Sequence, residues 1–182
     1  MQQTFFEERL PTPIGEMRIL TDDKGRLRVA DWDEHTDRQL ARHYAPGGVR
    51  IEKASGRSKA RAALEAYFAG DIGAIEDLET HTAGTEFQRA VWNALRRIPR
   101  GRTISYAALA ADIGRPKAVR AVGLANGANP IAVVVPCHRV IGADGTLTGY
   151  GGGLHRKQWL LDHEKAGKAA SASVTSPLMQ RA

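Results

Sequence analysis

The spacing of apolar residues changes once along this chain, and that change limits the folds open to it. Residues 3–33 hold "TFFEERL", "GEMRILT" and "GRLRVADW", partly alternating and separated by "PTPIG" and "DDKG". Alternation broken by turn residues predicts short strands. From Thr85 onward the spacing is helical: Phe87, Val91, Leu95 and Ile98 lie four, four and three residues apart and form one apolar stripe. Thr85, followed by Gln88, predicts a capping box at the start of that helix. Strands first and helices afterwards predict an α+β protein, with a small N-terminal strand-plus-helix domain and a mostly helical second domain.

Within the first domain, Ala60, Ala63, Leu64, Tyr67 and Phe68 have helical spacing, and Gly70 stops the helix. Residues 70–84 are Gly-rich and acidic and read as a connector. The expected domains are therefore 1–84 and 85–165. Beyond "PRG" at 99–101, Ser105 is placed to cap a short helix, "YAALAADI", that stops at Gly114. Pro116 is placed as the first residue of the next helix, "PKAVRAVGLANG". Two short helices around "GR" are the pattern of a helix-turn-helix of winged-helix type. A last helix, "HRKQWLLDHEK", is expected to turn Trp159 and Leu160 inward, with Leu161 or His163. Residues 166–182 are small and polar and are expected to be disordered.

Charge divides along the same line. Residues 1–84 carry 12 Lys/Arg against 15 Asp/Glu, net −3, whereas residues 85–165 carry 12 against 5, net +7. A basic half points to a phosphate-rich partner, although a solvated basic face would look the same. No apolar run is long enough to span a membrane, and "MQQTFFEERLP" does not read as a secretory signal. One cysteine in 182 residues makes no internal disulfide, so a reducing cytoplasm is the expected setting. The six histidines are scattered and no Cys-x-x-Cys occurs, so no metal site is expected.

That single cysteine, Cys137, stands in "NPIAVVVPCHRVIG". The run Ile131–Val135 reads as a buried strand that yields to a loop at Pro136. His138 and Arg139 follow directly, and nearby positive charge favours a thiolate, the nucleophilic form. A lone cysteine can equally be a small buried hydrophobe. His138 could take the thiol proton, directly or through a water. Glu164 is the best carboxylate to orient it, with Asp162 and Asp144 as rivals. Arg120 lies mid-helix among Ala118, Ala121 and Gly123, where small neighbours leave it projecting like a peg toward a groove or simply toward solvent.

At these residues the chain resembles the O6-alkylguanine-DNA alkyltransferases, the methylated-DNA–protein-cysteine methyltransferases. The resemblance is carried by "PCHRV", with "FQRAVWNALRRIPRGRT", "SYAALA", "RAVGLANGANP" and "LTGYGGGLHRKQWLLDHE" in the same order. It is dense over residues 85–165 and looser before them. It implies direct-reversal DNA repair, in which an alkyl group on O6 of guanine in duplex DNA moves to the cysteine after the damaged nucleotide is flipped out. Cys137 matches the acceptor, His138 the histidine that activates it through a water, and Glu164 the carboxylate behind that histidine. Asn129 matches the asparagine that brackets the turn before the site. Arg120 matches the arginine that fills the gap in the duplex, and Tyr106 the tyrosine that crowds the adjoining phosphate. Tyr150, Gly151 and Gly152 match the loop over the flipped base, and Val140 a contact to the base edge. The resemblance also implies minor-groove docking by the second helix, with Ala118, Ala121 and Gly123 on that face. No cofactor and no zinc are implied for this chain, and a monomer is expected, with cooperative assembly on DNA and activity on O4-alkylthymine left open.

A thioether product has no easy leaving group, so one transfer per molecule is expected. Two rivals use the same residues. A cysteine hydrolase would turn over repeatedly, and a redox-sensing DNA-binding protein would transfer nothing.

Overall fold

The computed structural model describes residues 1–175, with side chains through residue 167. Four strands form the N-terminal sheet: β1 (Gln3–Thr12), β2 (Gly15–Thr21), β3 (Leu27–Trp32) and β4 (Val49–Lys53). Their order is β3-β2-β1-β4; β1–β2 and β2–β3 are antiparallel and β1–β4 is parallel. The helix α1 (Asp33–His43) makes the crossover between β3 and β4. Neither α1 nor β4 was legible in the sequence, because residues 33–55 carry no clean apolar period. The second helix, α2 (Lys59–Phe68), falls where the spacing predicts, with the Ser58 side chain accepting from Arg61 N at 3.0 Å.

Both faces of the sheet are covered. Phe5, Leu20 and Val29 pack with Leu40 and Tyr44 on the α1 side. Met17, Ile19, Leu27, Ala30 and Trp32 face the main core. That core runs past the expected boundary at residue 84: Leu64 and Tyr67 share it with Val91, Trp92, Leu109 and Val135. Each large apolar side chain fully buried there contributes roughly 1.5–3 kcal/mol.

The second half begins with α3 (Glu86–Leu95), and its capping box is present as the sequence predicts. Thr85 Oγ1 accepts from Gln88 N at 3.1 Å, and Gln88 Oε1 accepts from Thr85 N at 2.9 Å. Val91, Leu95 and Ile98 are buried along the expected stripe, while Phe87 packs at its edge. Then come β5 (Ile104–Ser105), α4 (Tyr106–Asp112), α5 (Val119–Gly127), β6 (Val140–Ile141) and α6 (Leu154–Thr175). Ser105 caps α4 by accepting from Ala108 N at 3.1 Å. The chain leaves α4 through Gly114, where Arg115 N donates to Ala110 O at 2.9 Å.

Two expectations need correction. Pro116 does not open α5: it lies in the turn closed by Ala118 N to Arg115 O at 2.8 Å, and Ala118 is the residue before the first helical one. A turn also suits proline, whose fixed φ fits its second position. The disorder expected from residue 166 does not hold through Thr175, where α6 continues. Alanine-rich "AGKAASASVT" has the intrinsic propensity to extend a helix already anchored in the core. Residues 176–182 lie outside the described residues. Among the described residues, no helix is long and apolar enough to cross a membrane.

Replacing Thr85 by Ala removes one side of the reciprocal cap. The variant is expected to lose about 1 kcal/mol of stability, read from the urea midpoint, with the fold retained.

Candidate active site

The segment before Cys137 is not the strand that Ile131–Val135 suggests. It is a compact turn, built on Asn129. Asn129 Nδ2 donates to Ile131 O at 3.2 Å and to Val135 O at 2.8 Å, while Oδ1 accepts from Ile131 N at 3.0 Å. Val135 N donates back to Ile131 O at 3.1 Å, so the run closes on itself. A short apolar run reads alike in a buried strand and a buried turn, which is why the sequence misleads here. Val133 takes φ 72°. For a β-branched residue this conformation stores about 1–3 kcal/mol of strain. Full burial of its side chain helps to hold it there.

The turn hangs from the edge of the N-terminal sheet. Ala30 N on β3 donates to Pro130 O at 3.0 Å, and Ala132 N donates to Ala30 O at 2.6 Å. From α1, Gln39 Nε2 donates to Asn129 O at 3.1 Å and to Asp31 Oδ2 at 3.0 Å. The first half of the chain thus sets the backbone that leads into the cysteine.

Cys137, His138 and Arg139 form a single 3₁₀ turn, all three buried. Glu164 on α6 lies beneath it, completely buried. His138 Nε2 is 2.8 Å from Glu164 Oε1. A carboxylate only accepts, so Nε2–H donates, which leaves Nδ1 as the ring nitrogen that Glu164 does not hold. That Nδ1 is buried and has no hydrogen-bond partner among the described residues. Arg139 does not face the sulfur. Its Nε and Nη2 donate to Glu164 at 3.0 and 2.8 Å, and Nη1 donates to Ile98 O at 2.7 Å. Tyr67 on α2 adds a fourth donor, its hydroxyl 2.9 Å from Glu164 Oε1. The rivals are elsewhere: exposed Asp162 accepts from Gln158 at 2.9 Å, and Asp144 accepts from Thr146 at 2.7 Å.

Electrostatics at the thiol overturn the expectation of a ready thiolate. Burial pushes Cys137 up to about 11, helped by the charge of Asp31 and opposed by the Asn129 hydrogen bond and the Lys157 charge. At neutral pH the sulfur of the DNA-free chain is a thiol. Burial alone would raise Glu164, but the charges and hydrogen bonds of His138 and Arg139 outweigh it and hold the carboxyl well below the ordinary range. Lys157 is fully buried, and burial lowers it; its Nζ donates to Val140 O at 2.6 Å and Thr148 O at 2.8 Å.

A narrow cleft lies over Cys137, lined by Asp31, Gln39, Asn126, Asn129, Tyr150, Gly151 and Gly152 among others. Its volume is about 20 Å³, room for one water and not for a purine. Gln39 Oε1 and Asn126 Oδ1, on two of its lining residues, are buried without a hydrogen-bond partner among the described residues. Tyr150–Gly152 cover the cleft between Gly149 at φ 60° and Gly153 at φ 95°. A Cβ on Gly152 would lie 2.4 Å from Trp32 Nε1, so only glycine allows this close approach. Arg156 Nη1 holds the cover at Gly152 O, 3.1 Å away, and Tyr106 Oη holds the chain just before it at Thr148 O, 3.1 Å away.

The comparisons with known proteins agree with one another. Residues 86–166 match the family described as 6-O-methylguanine DNA methyltransferase, DNA binding domain. A methylated-DNA–protein-cysteine methyltransferase of Salmonella typhimurium is 52% identical over 161 residues, 87% of this chain and 94% of its own. The chain belongs to the methylated-DNA–protein-cysteine methyltransferases. Another member, from Methanosarcina acetivorans, is 58% identical over 153 residues, covering 84% of this chain and 94% of its own. Mycobacterium tuberculosis OGT, in a crystal structure in complex with DNA, superposes with a TM-score of 0.74 at 41% identity, covering 90% of this chain and 94% of that one.

In this methyltransferase the remaining expected residues lie on α4 and α5, apart from the cleft. Arg120 is exposed and makes no side-chain bond among the described residues. It starts an exposed stripe with Leu124 and Gly127, at helical spacing, and Ala121 is exposed beside it. Ala118 caps the helix, and Gly123 faces the Tyr106 ring, where a Cβ would lie 3.9 Å from Cδ1. Arg102, Arg115 and Lys117 are exposed without ion pairs among the described residues. Val140 is fully buried and does not line the cleft; its carbonyl is taken by Lys157. Sequence reasoning missed Asp31, Gln39, Asn126, Lys157 and the hydroxyl role of Tyr67. Each depends on a partner far away in the chain, and no local pattern marks it.

In the DNA-free protein, alkylation of Cys137 by iodoacetamide is expected to accelerate with pH up to about 11, read by mass spectrometry. A plateau near pH 8 would contradict the buried thiol. Glu164 is depressed in the folded state, so its contribution is present above its unfolded value of about 4.3 and fades as pH falls below it. Between pH 6 and pH 3 the urea midpoint should therefore drop more in the wild type than in Glu164→Gln.

Proposed function

We propose that this chain repairs O6-alkylguanine in duplex DNA by moving the alkyl group to Cys137, once per molecule. The observation that carries the reading is the arrangement behind the sulfur. His138, next in the chain to its only cysteine, is anchored through Nε2 by a buried carboxylate, and its Nδ1 has no hydrogen-bond partner among the described residues. In the reaction the sulfur–carbon bond forms as the carbon–O6 bond breaks. The thiol proton passes through a water to His138 Nδ1, and the departing guanine takes up a proton at N1. Glu164 stabilises the imidazolium that results. The thioether carries no acidic proton and no leaving group, so nothing in the chain regenerates the thiol.

The base must leave the duplex to meet the sulfur, at a cost of a few kcal/mol. Arg120 enters the vacated position, and Tyr106 presses on the phosphate beside it. The free cations Arg102, Arg115 and Lys117 hold the backbone, and α5 lies in the minor groove with its small residues against it. The one-water cleft requires Tyr150–Gly152 to swing out on the flanking glycines before a purine enters. Tyr106 is bonded to Thr148, next to the hinge at Gly149, so a phosphate that draws its hydroxyl away frees that end of the cover. A monomer suffices for each of these steps, and the setting is the cytoplasm.

Duplex DNA bearing O6-methylguanine, incubated with the protein, should leave one added methyl on Cys137 by peptide mass analysis. No adduct, or repeated turnover, would reject the reading. Arg120→Ala should slow transfer from duplex at least about tenfold while sparing transfer from the free modified base, since extrusion is then unnecessary. Equal losses on both substrates would remove the extrusion role.

A further inference from the structure

Tyr67 is the one member of the Glu164 cluster that comes from the first half of the chain. It stands in the last turn of α2 and is fully buried. Its hydroxyl donates to Glu164 Oε1 at 2.9 Å, the oxygen that also receives His138 Nε2 and Arg139 Nη2, each at 2.8 Å. Its backbone carbonyl faces the neighbouring residue of α6, 2.7 Å from His163 Nε2. The Tyr67 and His163 rings meet edge to face with centroids 5.2 Å apart. Packing alone would be met by phenylalanine, and a buried hydroxyl is costly unless it is bonded. Here the bond goes to the one carboxylate that holds the histidine.

We propose that Tyr67 is a positioning residue for alkyl transfer, sharing Glu164 with His138 and setting how much of the carboxylate's charge the imidazole receives. The inference rests on the His138–Glu164 reading given above. Three donors on one oxygen divide its acceptor capacity, and a bond behind a catalytic histidine's partner fixes both orientation and basicity. Without the hydroxyl, Oε1 turns more of its charge toward His138. The imidazolium side of the pair is then favoured, and Nδ1 is less available to take the thiol proton. Arg139 still holds both carboxylate oxygens. Arg139 and Tyr150 act on the phenol by charge, and Asp31 and Lys157 act on the thiol. The turn Ile72–Ile75, packed on α6, carries no titratable side chain.

Tyr67→Phe keeps the ring and removes only the donor. Single-turnover transfer from duplex DNA bearing O6-methylguanine is followed between pH 5.5 and pH 9, with duplex affinity and melting temperature measured alongside. The expected result is a rate roughly tenfold lower at the acid end, where a proton occupies Nδ1. The acid limb should move to higher pH, with duplex affinity unchanged. A wild-type profile overturns the proposal, and so does a lower melting temperature with an unmoved acid limb, because a purely structural bond would do that. If Tyr67→Phe does not fold, 3-fluorotyrosine placed at position 67 keeps the shape and strengthens the donor. Its acid limb should then move to lower pH, and an unmoved limb overturns the proposal. Glu164→Gln separates the two readings. Wild-type rates in Glu164→Gln would remove the His138–Glu164 relay itself, whereas a slow Glu164→Gln beside a fast Tyr67→Phe would remove only the role of Tyr67.

Discussion

A single buried carboxylate, Glu164, ties the molecule together. It lies on α6 and receives donors from the cysteine turn and from α2. An isolated charge at such depth would cost several kcal/mol, and only its full set of partners makes it tolerable. The geometry is therefore closely constrained. Moving α6, the 3₁₀ turn or α2 independently would strip the carboxylate of a donor. The same demand keeps Nε2 of His138 turned to the carboxylate and keeps Arg139 away from the sulfur. Charge placement, rather than packing alone, fixes where the nucleophile's neighbours point.

Above that carboxylate the structure relies on backbone contacts. Asn129 folds an apolar run into a turn, and the β3 edge at Ala30 carries it. Strain at Val133 is held by the surrounding core rather than relieved. Lys157 bonds two carbonyls, one after the cysteine turn and one just before the cover. The N-terminal sheet is thus a wall of the active site as well as a support. Trp32 backs Gly152, and Asp31 and Gln39 line the cleft beside Cys137.

The resting thiol and the closed cleft are two aspects of one condition. Burial that excludes a purine also raises the thiol and keeps it protonated. A sulfur that can be used once gains from staying unreactive toward small electrophiles until its substrate arrives. Opening the Tyr150–Gly152 cover would relieve both restraints together. Tyr106, at the start of α4, bonds Thr148 just before that cover, on the same helix pair where Arg120 is exposed.

The capping box at Thr85, the stripe through Val91, Leu95 and Ile98, the Ser105 cap and the N-terminal strands all follow from local period and turn chemistry. They were legible because each is decided within about ten residues by the helical or strand repeat. "PCHRV" with its flanking segments likewise located the family, and with it the candidate acceptor and its candidate histidine. The turn at Ile131–Val135, the helical start at Val119 and the elements between residues 33 and 53 were not legible, since tertiary contacts override weak local preference there. The sequence by itself determined the α+β class and the order of the helices from α2 onward, and it singled out Cys137 as the candidate acceptor. Only the tertiary structure decided that the thiol rests protonated, that the cleft is shut, and that Tyr67 and Gln39 from the first half bond to Glu164 and to Asn129. Burial and long-range hydrogen bonding set those properties, and neither is encoded in the spacing of neighbouring residues.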